Sequence, residues 1–456
     1  MDTKNRPASW TRRDFVKGGT AAVVGSAVAS QFPLKASAYY GVDDTIRVGL
    51  IGCGGRGTGA AVQALQAAEN VQLVAMCDAF MDRVEESYGN IVAPENSDPL
   101  PEDVLARVQV PKEHMFDGFD GYQKVLPLVD VVILTTPPGF RPVHFDAAVE
   151  AGKQVFMEKP LATDAPGVRQ ILATGEKARA RKLNVVVGLQ RHYQTVYREW
   201  VSRLHADAIG DIILGRVYWN GGGVWVRDRA SLEEEAQRKI TEMEYQMRNW
   251  YYFNWLCGDH IVEQHIHNID VGNWVMKGHP VRAQGQGGRL VRTGMDHGEI
   301  YDHHFVEFEY ASGARVLSQC RHMPDCMNRV SEGFHGSRGA APSPGEIIGT
   351  SGNVIYKHRD KDDPNPYQVE HDELFAAINA GEFKYEDTQN GAEATMSSIM
   401  GRMATYTGQV ITWEDAINDD VQLVPDKLAW DVDPPVMPDK HGRYKIPLPG
   451  VAKPDA

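Results

Sequence analysis

Arg47-Val-Gly-Leu-Ile-Gly-Cys-Gly-Gly-Arg-Gly57 is an apolar strand running directly into a Gly-x-Gly-x-x-Gly turn. In such a stretch Gly52 permits the tight turn after the strand and Gly54 lets the backbone approach a pyrophosphate. Gly57 allows close packing of the following helix, whose N-terminal amides meet negative charge. Glycine is common here, at 44 residues, so the pattern alone carries little weight. Its context carries more: a strand precedes it, a helix follows, and Asp78 closes the next apolar run, where a carboxylate accepts hydrogen bonds from a ribose diol. The reading is a dinucleotide site built from Gly52, Gly54, Gly55, Arg56, Gly57 and Asp78, completed by Thr135, Pro137, Glu158 and Lys159. Asp78 repels a 2′-phosphate, which favours NAD over NADP.

Outward from this unit, apolar strands alternate with helical stretches. Strands are expected over 46–51, 71–77, 129–135 and 154–157, with helices from Gly57 to about Ala68 and over 144–151. That alternation predicts an α/β architecture with an N-terminal doubly wound parallel sheet over 45–160. The Pro- and Asp-rich stretch from Tyr88 to Phe119 reads as an irregular surface insertion. A helix at about 164–180 follows, then separated strands near 213–220, 281–287, 303–310 and 314–319, and helices at 370–380 and 392–406. Residues 161–415 therefore predict an α+β region with a large open mixed sheet, and 416–456 a Pro-rich tail that wraps the surface or reaches a neighbouring subunit.

The N-terminus reads as a twin-arginine export signal over residues 1–38. Arg12-Arg13 precede a weakly apolar, small-residue run, and Ala36-Ser37-Ala38 offers a cleavage site, with the mature start near Tyr39. That route carries folded proteins, and the expected location is the periplasm, where free NAD should be scarce. A cofactor loaded before export would then have to stay bound. The apolar run is too short for a stable membrane span, and no later stretch reaches that length. Formal net charge is −14, and removal of a basic leader makes it more negative, a balance that disfavours nucleic acid as a partner. Five scattered cysteines lack the spacing of a metal site or a disulfide framework and read as packing residues.

Two stretches carry the chemistry. Met157-Glu158-Lys159-Pro160 lies at the carboxyl end of an expected parallel strand, the edge where such sheets bind ligands, so Lys159 is placed beside the reacting carbon to stabilise a developing alkoxide. In 260–274, helical spacing puts His260, Glu263, His267, Asp270 and Trp274 on one face and Ile261, Val262, Ile266 and Ile269 on the other. The first face reads as a site-facing stripe. A competing reading makes His260, Glu263, His267 and Asp270 metal ligands, joined by His303, His304 or His322, but no metal-binding signature supports it. On the substrate side, Arg191, His192, Tyr252 and Asp270 are expected to contact ligand, with the aromatic run 250–255 and the Gly221–Trp225 loop nearby.

Together, Gly52–Gly57, Glu158-Lys159-Pro160 and the acid-x-x-x-His-x-x-Asp run resemble the glucose-fructose oxidoreductase and inositol dehydrogenase family (Gfo/Idh/MocA) over most of 45–415. The resemblance implies a Rossmann domain, an open-sheet α/β domain, homodimers or homotetramers, and sugar or polyol substrates oxidised or reduced by a nicotinamide. It assigns the reaction to Lys159, Glu263 and His267, with His267 as general acid/base. Glu263 stands where the family usually has Asp, and His265 where a small residue is common, so the substrate does not transfer by analogy. Three functions remain open at this stage: hydride transfer on a sugar or polyol with an internally recycled NAD, redox-neutral glycoside cleavage through a transient keto-sugar, and non-catalytic sugar binding stabilised by NAD.

Overall fold

The computed structural model describes residues 44–94, 99–359 and 361–451. The expected twin-arginine leader lies outside the described residues. Among the described residues no helix is long and apolar enough to cross a membrane.

The first sheet is six-stranded and wholly parallel, in the order β3-β2-β1-β4-β5-β6. Its strands are β1 (Ile46–Ile51), β2 (Val71–Cys77), β3 (Met115–Phe116), β4 (Val131–Leu134), β5 (Gln154–Met157) and β6 (Val185–Val187). β1, β4 and β6 are buried almost throughout, as expected of strands covered on both faces. The order reverses beside β1, so the crevice at the carboxyl ends of β1 and β4 opens at the glycine loop.

The stretch 88–119 is more regular than its composition predicts. Tyr88 sits inside the helix Met81–Val92, and β3 pairs Met76 with Met115 and Cys77 with Phe116, so this segment supplies an edge strand of the sheet. Two paired residues are too short a run for periodicity to register.

The second sheet has nine strands, in the order β14-β13-β12-β11-β7-β10-β9-β8-β15. These are β7 (Ile212–Gly221), β8 (Pro280–Gly288), β9 (His303–Tyr310), β10 (Arg315–His322), β11 (Arg329–Gly336), β12 (Gly339–Ser343), β13 (Glu346–Gly349), β14 (Val354–Lys357) and β15 (Ile411–Thr412). β7 and β10 pair in parallel and the other neighbours are antiparallel, making the sheet mixed. β9 and β10 alternate buried and exposed along their length, so one face packs inward.

Joining the two sheets is the helix Thr388–Thr407, which is buried from Ala394 onward and contacts β8, β9 and the helices Ala165–Ala180 and Ile266–Met276. Thr395 Oγ1 accepts from the Leu161 amide at 3.1 Å, and Arg402 donates to the Gly258 carbonyl at 3.0 Å. The Pro-rich tail packs on its own chain: Trp430 lies 4.5 Å from Phe119 and 5.0 Å from Phe80, and Tyr444 is buried against Phe253.

The expected single helix over 260–274 is broken. A short helical turn, His260–Glu263, stops at Gln264, and a new helix runs Ile266–Met276. At the break His265 turns inward, its Nε2 2.8 Å from Ser318 Oγ on β10 and its Nδ1 3.3 Å from Asn268 Oδ1. Burial pushes the His265 imidazole down to about 3, which keeps it neutral in that position.

Candidate active site

A cavity of about 600 Å³ runs from the glycine loop to the turn His260–Glu263. At the loop end, backbone geometry does the shaping. Gly52 has φ +102°, and a Cβ there would meet the Thr136 amide nitrogen at 2.5 Å. A Cβ on Gly57 would lie 2.0 Å from the Gly52 carbonyl oxygen, so the helix packs against the loop at a distance no side chain tolerates. Thr135 Oγ1 donates to that same carbonyl at 2.6 Å. Gly54 and Gly55 differ, since a Cβ on either would meet no protein atom within 4 Å. Their bareness leaves room for something other than the chain.

Asp78 closes this end. Its carboxylate accepts from the Cys53 amide at 2.7 Å and the Phe80 amide at 3.2 Å, which fixes its direction and leaves further lone pairs toward the cavity. Arg56 lies across the mouth, donating to Glu158 at 2.5 Å and to Glu370 at 3.3 Å, with its guanidinium 4.8 Å from the Tyr367 ring. Glu158 occupies the space that a side chain at position 188 would need, which accounts for Gly188. All ten residues expected around a dinucleotide line this cavity: Gly52, Gly54, Gly55, Arg56, Gly57, Asp78, Thr135, Pro137, Glu158 and Lys159. Open glycines, helix N-terminus and aimed carboxylate together fit an NAD molecule.

At the far end Lys159, Glu263 and His267 come together. Lys159 Nζ donates to the Glu263 carbonyl at 2.7 Å and to Glu263 Oε1 at 3.1 Å. Two acceptors from one residue hold the ammonium at a fixed point of the wall. His267 stacks on Trp219, with centroids 5.8 Å apart and planes inclined by 24°. Burial, reinforced by the charges of Lys159 and Arg191, holds its imidazole well below the ordinary histidine range, so the ring is neutral. A fixed ammonium beside a neutral imidazole can stabilise an alkoxide and accept its proton.

The expected substrate contacts sit elsewhere. Arg191 is buried in an ion pair with Glu332, which also accepts from Tyr197 and Asn268. His192 Nε2 lies 2.8 Å from Asp270 and its ring stacks on Trp274, while Asn390 donates to the other Asp270 oxygen at 3.1 Å. Burial works against a charge on His192, but Asp270 holds its pKa above the ordinary value. None of these three lines the cavity, since Asp270 is taken up by His192 and Asn390 and Arg191 by Glu332. Tyr252 is also off the cavity, where its hydroxyl donates to the Trp225 carbonyl at 2.9 Å and receives from Arg292. It supports the loop that carries Trp225.

The competing metal set is dispersed as well: Glu263 and His267 face the cavity, Asp270 pairs with His192, and His260 is fully buried. On β9, His303 faces outward beside Asp302 and His304 inward, as alternation requires.

The cavity is also lined by Trp219, Trp225, Trp250 and Arg227, and by Arg248, which pairs with Asp82 and covers the Phe80 ring on the Asp78 side. Trp225 and Trp250 come from segments that the sequence marks. Trp219 was missed, although its place near the end of β7, beside the stripe that carries His267, was a usable signal. Arg141 and His144 also reach the cavity, from the first turn of the helix Arg141–Glu150, and the sequence reading did not single them out.

Fold and cavity define a dinucleotide-binding Rossmann protein with an appended open mixed sheet. Residues 46–188 match the Gfo/Idh/MocA family, described as "Oxidoreductase family, NAD-binding Rossmann fold". NAD is accordingly the cofactor of the site. The chain is 26% identical over 272 residues to an inositol 2-dehydrogenase 3 of Saccharopolyspora erythraea, an alignment spanning 60% of this chain and 65% of that relative. It is 29% identical over 170 residues to a glycosyl hydrolase family 109 protein of Solibacter usitatus, covering 36% of each. Among solved structures, aldose-aldose oxidoreductase from Caulobacter crescentus, complexed with glycerol, superposes with a TM-score of 0.61 at 14% identity. It covers 81% of this chain and 99% of that one, a likeness of fold.

Proposed function

We propose that the protein is an NAD-dependent oxidoreductase that transfers hydride from a carbinol carbon of a sugar or polyol. The observation that carries this reading is the placing of Lys159, Glu263 and His267 around one end of a cavity whose other end is the glycine loop. When bound, the nicotinamide supplies the hydride acceptor. Lys159, oriented by Glu263, donates a hydrogen bond to the substrate hydroxyl oxygen and stabilises the charge that grows there. His267 takes the hydroxyl proton, and the carbon that loses hydride becomes a carbonyl. Trp219, Trp225 and Trp250 offer apolar faces to the ring, while Arg227 offers donors to its hydroxyls.

The finer reading follows from the leader in the sequence. The protein is exported folded to the periplasm as a homodimer or homotetramer with NAD already bound, and the cofactor is recycled in place by a second carbonyl compound. Mass spectrometry of the supernatant from denatured periplasmic protein tests this. Stoichiometric NAD(H) is expected, and an empty site removes the closed cycle. Single-turnover assays with aldoses and inositols then test hydride transfer by the rise of reduced nicotinamide, and no rise with any of them, in protein shown to bind NAD, defeats the dehydrogenase reading.

The similarity to a protein named for glycosyl hydrolase family 109 supports a second reading. In it, hydride removed from a ring carbon acidifies the neighbouring C–H, loss of that proton expels the protonated aglycone, water adds to the resulting double bond, and the hydride is returned to the ketone. Release of aglycone without net accumulation of reduced cofactor distinguishes it.

A further inference from the structure

Asp259, His260 and His304 form a fully buried cluster that the reaction does not use. We propose that it is a binding site for one divalent first-row transition-metal ion, Zn2+ in the first instance, ligated by Asp259 Oδ1, His260 and His304 Nε2. Their donor atoms all lie within 4.8 Å of one another, and none of the three residues lines the cavity. Asp259 Oδ1 stands 2.9 Å from His260 Nδ1 and 3.2 Å from His304 Nε2. Ligands about 2.1 Å from a tetrahedral ion are about 3.4 Å apart, so a common ion requires the carboxylate to open by a few tenths of an ångström and the two imidazoles to close by up to about 1.4 Å.

The hydrogen-bond accounting argues for a cation. Thr405 Oγ1 faces the carbonyls of Gly401 and Arg402 at 3.2 and 3.0 Å, which commits its hydrogen, so it accepts from His304 Nδ1–H at 2.9 Å. With the hydrogen on Nδ1, a neutral His304 turns a bare Nε2 lone pair toward a carboxylate oxygen. Although Asp259 Oδ1 is close to both rings, neither ring nitrogen of His260 nor His304 Nε2 makes a hydrogen bond of good geometry. His322 adds a further case. Its Nε2 must donate to the Gln264 amide oxygen at 2.8 Å, leaving a buried, unpartnered Nδ1 on a ring stacked 4.3 Å from that of His260.

Buried polar atoms are nearly always satisfied. A single proton shared between His304 and Asp259 would satisfy one contact and leave His260 with none. One cation engages Asp259, His260 and His304 together.

The donor set suits the ion and its surroundings suit the ligands. Two imidazoles and a carboxylate match zinc and its first-row neighbours. The Asp259 oxygen not assigned to the ion accepts from the Tyr301 amide at 3.0 Å and from the Tyr406 hydroxyl, and His304 is oriented by Thr405, the outer partners that fix ligand direction. The ion would tie β9 to the turn His260–Glu263, whose last residue holds Lys159. It is thus a structural clamp behind the active site, and it stands whether or not the proposed reaction is right.

The test uses the full-length, untagged protein. Elemental analysis after gel filtration is expected to give close to one metal ion per chain. His304→Gln should lower the content about tenfold or more, while His303→Ala, altering the outward neighbour on the same strand, should keep it. Chelator treatment should lower Tm, and Zn2+ alone should restore it. Metal below about a tenth of an equivalent, with no Tm rise on adding Zn2+, Co2+, Ni2+, Fe2+ or Mn2+ to chelated protein, overturns the proposal. Equal metal content in the two variants overturns it too. Should His304→Gln fail to fold, Co2+ added to the chelated wild type decides: ligand-field bands of a nitrogen- and oxygen-bound ion support the site, and the spectrum of aqueous Co2+ refutes it.

Discussion

At the glycine-loop end of the cavity the working parts are backbone amides and missing side chains, drawn from the consecutive residues 46–57. At the other end they are the side chains of Lys159, Trp219, Trp225, Glu263 and His267, drawn from the end of β5, the β7 strand and its following loop, and a broken helix. The first end is written locally and tolerates almost no change of shape. The second is assembled from separate segments, each able to vary alone, which is where substrate preference can change while cofactor binding is kept.

The comparison can be tested from its strongest point downward. Lys159→Met should lower the rate of hydride transfer about a thousandfold while leaving NAD affinity within a factor of about two, since the ammonium serves the reacting oxygen. Measured kcat together with an NAD titration checks this, and a parallel loss of affinity would show the two ends to be one unit. Two glycine variants probe the other end. Gly57→Ala drives a methyl onto the Gly52 carbonyl and should cost about 2 kcal/mol of stability, seen as a fall in Tm. Gly54→Ala meets no protein atom, so Tm should hold while NAD affinity falls about tenfold or more. Equal Tm losses would mean that Gly54 serves the chain and not the ligand.

Trp219→Ala should raise KM for the sugar about tenfold with NAD affinity unchanged, the worth of one aromatic face. The smallest effect is a missing one. A histidine of ordinary pKa would lose half its activity as a base near pH 6.5. Because His267 is held well below that, its neutral form persists as pH falls through 6.5, and the base function is lost only as pH falls through the lowered value. The pH profile of kcat/KM for oxidation should therefore stay flat across pH 6.5. An inflection there would assign the proton to another group or show His267 to be more solvated.

What could be read in the sequence follows the same division. The β1–glycine loop–Asp78 unit and Glu158-Lys159 were legible because each depends on neighbours in sequence. The stripe at 260–274 was legible only in part. Its spacing suits one unbroken helix, yet the helix stops where His265 meets Ser318 on a distant strand, and His260 packs against Asp259 and His304 while Asp270 pairs with His192. Arg191, His192 and Asp270 have the chemistry of a site, but their partners, Glu332, Trp274 and Asn390, are remote in sequence and make them internal struts. β3 and β12–β14 went unread because strands of two to five residues are fixed by pairing and leave little pattern, and β11 because its RVSEGFHG sequence has few apolar residues to alternate.

The helix Thr388–Thr407 lies late in the chain yet runs through the middle of the molecule, touching both sheets. During synthesis, β1–β6 and most of the nine-stranded sheet leave the ribosome before the helix that packs between them exists. Until it arrives, the apolar surfaces it will cover, among them Leu161, Val187, Ile261 and Val306, lack their partner. A chain cut short anywhere before residue 388 thus loses its central spine and not merely an end. Such a protein is finished from the inside, with its last long helix closing the core as a keystone closes an arch.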